Sequence, residues 1–148
     1  MDIISQIGHN RVLWVSILGW FIAQALKIVF TFISEGRLDF KRIVGLGGMP
    51  SSHSSVVCAL ATAVGISRGF DTVEFAICTI LATIVMTDAA GVRRAAGKQA
   101  RQINRIVQDM IENGRGLTHE NLKELLGHSP FEVVVGAILG VVIAIVAM

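Results

Sequence analysis

Four apolar stretches dominate the chain and limit it to a small set of folds. They run over residues 12–33, 50–66, 73–88 and 131–148. A helix needs about 20 apolar residues to cross a bilayer and tolerates roughly 17–25, so each stretch is near the length of one crossing. Only 16% of the residues are charged and 53% are hydrophobic, whereas a soluble domain carries about 25% charged residues. The sequence therefore predicts one all-α membrane domain over residues 1–148, with about four transmembrane helices.

The basic residues are distributed unevenly between the loops. With four crossings, the loop 34–49 and the helical insertion 89–128 lie on the same side of the membrane. The first holds three Lys or Arg residues and the second holds seven, of 13 in the chain. Because basic loops remain in the cytoplasm, we expect a multi-pass protein of the cell membrane with both loops on the cytoplasmic side.

The insertion begins with a predicted basic amphipathic helix over residues 89–113. One stripe of this helix follows the spacing i, i+4, i+7 and i+11: Arg94, Lys98, Arg101 and Arg105. Arg101 and Arg105 are typical of a helix that rests on anionic headgroups. Arg93, Arg94 and Lys98, nearest the third apolar stretch, are candidates for binding a phosphate group.

A polar motif, Gly47-Gly48-Met49-Pro50-Ser51-Ser52-His53, leads directly into the second apolar stretch. Glycine permits a tight turn, and proline is favoured at the first helical position, where its missing N–H is not needed. The amides of Ser51 and Ser52 at a helix N-terminus favour an anion, and His53 would place a proton donor beside it. The alternative is an ordinary capped helix start with an incidental histidine.

A second motif, His128-Ser129-Pro130-Phe131-Glu132, opens the last apolar stretch. Ser129 and Glu132 have the spacing of a capping box, with proline at the first helical position. Capping alone explains Glu132. The presence of His128 one helical turn earlier allows another role, since a carboxylate there can hold one imidazole nitrogen and leave the other to attack.

Lys27 is a cation within the first apolar stretch, with Gln24 one turn before it. An ionised residue inside a membrane needs a partner, and either a phosphate group or Asp88 could be that partner. The alternative is that the lysine extends along the helix to reach the membrane surface.

The motifs together resemble a known family. Pro50-Ser51-Ser52-His53 resembles the Pro-Ser-Gly-His motif of the type-2 phosphatidic acid phosphatase superfamily, which includes vanadium haloperoxidases. The last motif resembles that superfamily's final His-x-x-x-Asp, with Glu132 in place of Asp. With the segment 88–99, these features make the chain similar to the divergent branch of small membrane proteins in that superfamily.

The resemblance implies a role for each residue. His128 would be the nucleophile, Glu132 would orient it, and His53 would protonate the leaving group. The phosphate group would be bound by a basic and polar set: Arg93, Arg94, Lys98, Ser51 and Ser52. The family's first-motif lysine has no clean match, and its candidates are Lys27, Lys41 and Arg42. The segment between the arginine and the nucleophile is much longer here than in the family, and the usual six-helix bundle is reduced.

We therefore expect a membrane phosphatase that hydrolyses a lipid phosphate, such as phosphatidylglycerophosphate, at the cytoplasmic leaflet through a phosphohistidine. One alternative is a catalytically silent protein that binds a lipid or an anion. Another is a small transporter subunit that uses Lys27, Gln24 and Asp88 as a polar path. We expect no metal ion or other cofactor and no nucleic-acid partner, and Gly136 and Gly140 suggest a homodimer contact.

Overall fold

The computed structural model describes residues 2–35, 48–112 and 129–148, without the side chains of 34–35, 92–94, 109 and 111–112. These ranges form helices and contain no β-strand, which confirms the all-α fold class. The helices are α1 (Ile3–Gly8), α2 (Arg11–Glu35), α3 (Ser52–Arg68), α4 (Val73–Ala90), α5 (Val92–Glu112) and α6 (Pro130–Ala147). Three segments of this part of the chain are long and apolar enough to cross a membrane: Arg11–Ile33, Val73–Gln108 and Pro130–Ala147.

Helix α3 occupies the centre of the bundle and packs against α2, α4 and α6. One side of α3 buries Ala59 and Ala63 against α2 and α6. Another side buries Val57 and Cys58 against Ala82 of α4. These small side chains let three helices approach α3 closely. α3 corresponds to the second predicted stretch, and with its 17 residues and its polar first turn its own membrane crossing stays a prediction.

Contacts along the helices give their directions. Helix α2 is antiparallel to α3, because Gly19 lies beside Ala59 while Lys27 reaches Ser52. Helix α2 is also antiparallel to α6, since the Arg11 guanidinium donates to the Ala147 carbonyl at 3.0 Å. Helix α4 is antiparallel to α3, because it follows α3 after a short turn and its Met86 lies beside Cys58. The end of α2, the start of α3, the end of α4 and the start of α6 therefore share one end of the bundle, which we call the motif end.

Two glycines allow α6 to approach the backbone of α3 very closely. A Cβ at Gly136 would collide with the Ser51 carbonyl oxygen, and a Cβ at Gly140 would collide with that of Ser55. Both glycines are buried inside the protomer. α3 therefore already covers the two glycines that suggested a homodimer contact, and a homodimer stays a prediction without an assigned contact.

The start of α3 differs from the prediction by two residues. Pro50 was expected at the first helical position, but the helix begins at Ser52 and Ser51 is its N-cap. The reason is that the Ser51 hydroxyl accepts a hydrogen bond from the Ser54 N–H at 3.4 Å, which places the N-cap of the helix one residue after the proline. Gly48 has φ +89°, in the region that favours glycine, so the predicted turn is present.

Candidate functional site

Lys27 is the buried cation of the motif end, with only 4% of its surface exposed. Its Nζ donates a hydrogen bond to the Ser52 Oγ at 3.2 Å. Glu132 also lies near enough for its carboxylate to attract the ammonium group. The lysine side chain therefore points into the bundle, towards α3 and α6, and not along its lipid-facing surface.

The first turn of α3 is built from buried serines. The Ser54 hydroxyl donates to the Ser51 Oγ at 3.0 Å, which holds the N-cap side chain in place. The Ser55 hydroxyl donates to the Gly19 carbonyl at 2.9 Å and joins α3 to α2. Ser54 and Ser55 were assigned no role in the sequence analysis, although their positions one helical turn after Ser51 indicate that they lie on the same side of α3 as that residue.

The start of α6 lies against this same turn. The Ser51 N–H donates to the Glu132 carbonyl oxygen at 3.1 Å. Ser51 therefore contributes its hydroxyl as the cap of α3, while its N–H, predicted to face a phosphate group, is engaged by α6. The Ser52 N–H remains a first-turn amide of α3 beside the Lys27 contact.

Glu132 completes the predicted capping box of α6. Its Oε2 accepts from the Ser129 N–H at 3.0 Å, and its own N–H donates to the Ser129 Oγ at 3.3 Å. The capping interpretation of Glu132 is thus confirmed. Ser129 directly follows His128, the predicted nucleophile. The Glu132 carboxylate therefore lies beside the residue that follows the nucleophile. His128 itself lies outside the described residues.

Other predicted residues also lie towards the motif end. His53 is half-buried in the first turn of α3, and Asp88 is half-buried in the last turn of α4. Gln24 is buried one turn before Lys27, and Thr31 is buried one turn after it. The spacing of Gln24, Lys27 and Thr31 places them on one face of α2 and indicates a polar face towards α3. Only Gln24 and Lys27 were named in the sequence analysis.

The basic helix stands apart from this cluster. Lys98 is exposed on α5, and in the described part of the chain the extensive contacts of α5 are with α4. The structure does not bring Lys98 to Lys27 and Ser52, and its binding of a phosphate group stays a prediction. The remaining predicted binding residues lie outside the described side chains: Arg93, Arg94, Lys41 and Arg42.

These observations define a class: an all-α membrane protein with a buried cation beside the starts of two helices at one end of its bundle. The chain belongs to the Divergent PAP2 family, which it matches over residues 8–143. It is also 41% identical over 134 residues to the uncharacterized membrane protein YuiD of Bacillus subtilis (strain 168), covering 84% of this chain and 85% of that protein. No solved structure matches the chain significantly. The predicted family resemblance is confirmed, and the chain is a membrane protein of a divergent PAP2-related branch.

Proposed function

We propose that the protein is a phosphatase that hydrolyses a lipid phosphate monoester at the cytoplasmic leaflet through a phosphohistidine. The observation that carries the proposal is the position of the first turn of α3, between Lys27 and the start of α6. The Lys27 Nζ donates a hydrogen bond to the Ser52 Oγ at 3.2 Å, and the Ser51 N–H donates one to the Glu132 carbonyl oxygen at 3.1 Å. These contacts join the turn that holds His53 to the helix start that follows His128.

The charges around Lys27 and the N-termini of α3 and α6 suit a phosphate group. A phosphate dianion is bound by cations and amide N–H groups that surround its non-bridging oxygens. Lys27 supplies a cation that is already held in position, and the N-termini of α3 and α6 supply partial positive charge. Arg93, Arg94 and Lys98 are the further cations of the proposed site, and arginine suits it through its planar set of donors.

The proposed reaction has two displacement steps. A neutral His128 attacks phosphorus, an N–P bond forms, and the P–O bond to the lipid breaks. Protonated His53 gives its proton to the leaving alkoxide, which departs as the lipid alcohol. Water then attacks phosphorus, its proton passes to His53, and the N–P bond breaks to release inorganic phosphate. Glu132 stabilises the orientation and the positive charge of His128 in both steps.

A matched set of histidine variants tests the proposal. The assay measures phosphate release from lipid phosphates, phosphatidylglycerophosphate among them, by the purified protein in mixed micelles. We expect His128→Ala to abolish release and His53→Ala to slow it about 10²- to 10⁴-fold, the usual contribution of a general acid. The control is His9→Ala, because His9 is exposed and contacts the Ser5 carbonyl of α1.

The leaving group separates the two proposed roles. An aryl phosphate whose phenol is a good leaving group needs little protonation, so it should restore much of the rate of His53→Ala and none of that of His128→Ala. Unchanged release by both variants would contradict the mechanism. Binding of phosphate or vanadate by the wild-type protein without any release would instead identify a silent binder. Flux across vesicles that depends on Lys27 and not on His128 would identify a transporter subunit.

A further inference from the structure

Helix α5 has two faces of opposite character. Its long apolar side chains, Ile103, Ile106 and Met110, are exposed, with 54% of the Ile106 surface uncovered. Lys98, Arg101 and Arg105 are exposed as well. Helical spacing of 100° per residue places Arg101 and Arg105 opposite Ile103 and Met110. The helix therefore presents an apolar face and a basic face, and the described bundle covers neither of them.

The connection to α4 determines where these faces lie. Only Gly91 separates α5 from α4: its N–H donates to the Thr87 carbonyl and closes the last turn of α4, while its carbonyl accepts from the Ala95 N–H in the first turn of α5. The segment Val73–Gln108 contains one of the stretches apolar enough to cross a membrane. Since α4 supplies the apolar part of that segment, α5 begins where the chain leaves the hydrocarbon layer.

We infer that α5 binds the anionic headgroup layer of the membrane that α4 crosses. A helix with a basic face and an opposite apolar face lies in the plane of a membrane, with its apolar side chains at the boundary of the acyl chains. Ile103, Ile106 and Met110 would enter that boundary, and Arg101 and Arg105 would contact lipid phosphates. The acidic residues of α5, Asp109 and Glu112, come only in its last turn, so the positive charge is concentrated nearest the membrane crossing.

The charge on α5 favours an anionic lipid surface over another protein as its partner. Basic residues near an anionic leaflet contribute about 1 kcal/mol each. Arg101 and Arg105 together would strengthen binding of α5 to such a surface about 30-fold. A second copy of this chain could cover only the apolar face, because the basic faces of two copies would repel each other.

Hydrogen exchange of the full-length protein in nanodiscs tests this inference. We compare nanodiscs of phosphatidylcholine alone with nanodiscs that also contain phosphatidylglycerol. The backbone amides of α5 should exchange more slowly with the anionic lipid, by a factor of up to about 30 for the two arginines. High salt should reverse this protection, because it screens exposed charges. Amides of α2 and α6 should not respond to the lipid.

Charge-neutral variants supply the controls. Arg101→Gln with Arg105→Gln should remove most of the lipid-dependent protection of α5, whereas Arg68→Gln, an exposed arginine at the opposite end of α3, should leave it unchanged. Unaltered exchange in α2 and α6 shows that the double variant is folded. Equal protection in both lipids, or protection that rises with protein concentration instead, would overturn the inference, and neither result depends on whether the protein is a phosphatase.

Discussion

At the scale of single residues, Lys27 is the feature of the site that most needs compensating partners. A lysine buried in a membrane bundle is unfavourable unless partners compensate for its lost hydration. Here two other helices compensate in part: the Ser52 hydroxyl accepts a hydrogen bond from the ammonium group, and the Glu132 carboxylate attracts its charge. A residue with such demands is more consistent with a site for an anion than with packing, because an apolar side chain would pack there without partners.

The variant Lys27→Met tests this role, because it keeps most of the volume and removes the charge. A charged hydrogen bond contributes about 1.5–3 kcal/mol, so we expect kcat/KM for phosphate release to fall about 10- to 150-fold. The matched control is Ser16→Ala, a buried polar residue of α2 whose hydroxyl donates to the Val12 carbonyl within the same helix. Full activity of Lys27→Met would show that Lys27 does not contact the substrate.

At the scale of helices, the contact between α3 and α6 determines the site. The two helices run parallel, and Gly136 and Gly140 contact successive turns of α3 at Ser51 and Ser55. Because Ser51, the N-cap of α3, lies beside Gly136, the N-terminus of α6 extends about 9 Å beyond that of α3, and both N-termini face the motif end. The same approach positions the Ser51 N–H on the Glu132 carbonyl.

Substitution of Gly140 by alanine should separate these helices. The added Cβ would collide with the Ser55 carbonyl and lie 2.9 Å from the Ala59 nitrogen, both backbone atoms that cannot rotate away. We expect a loss of about 1–3 kcal/mol of stability, as in other overpacked interiors, measured as a lower unfolding temperature in detergent. Gly8→Ala is the control, because nothing lies within 4 Å of its added Cβ. An unfolding temperature equal to that of the control would contradict the close contact.

The helices were predictable from the sequence to a greater extent than their contacts. Apolar length predicted α2, α4 and α6, and the serine cap at Ser129 is as expected. The partners of Lys27 were not predictable, because they lie on helices distant in sequence and depend on how the bundle packs. Gly136 and Gly140 show the same limit, since small-residue spacing indicates a close contact but does not say which helix makes it.

At the scale of the whole molecule, the bundle has two chemically different ends. The motif end gathers Lys27, the serines of α3 and the start of α6, and α5 leaves from it. The opposite end contains Arg11, which donates to the carbonyls at the end of α6, and Arg68. The asymmetry supports an orientation with the motif end in the cytoplasm, since the basic loops of the sequence join helices at that end.

Single cysteines labelled from one side of the membrane test this orientation. Gln102 is exposed on α5, and Asp71 is exposed in the turn between α3 and α4. A membrane-impermeant maleimide added to intact cells should label Asp71→Cys and not Gln102→Cys, and inverted vesicles should give the reverse pattern. The unsubstituted chain is the control, because Cys58 and Cys78 lie within apolar helices and should not react. Labelling of Gln102→Cys in intact cells would place the motif end outside, where a lipid phosphate confined to the cytoplasmic leaflet could not reach it.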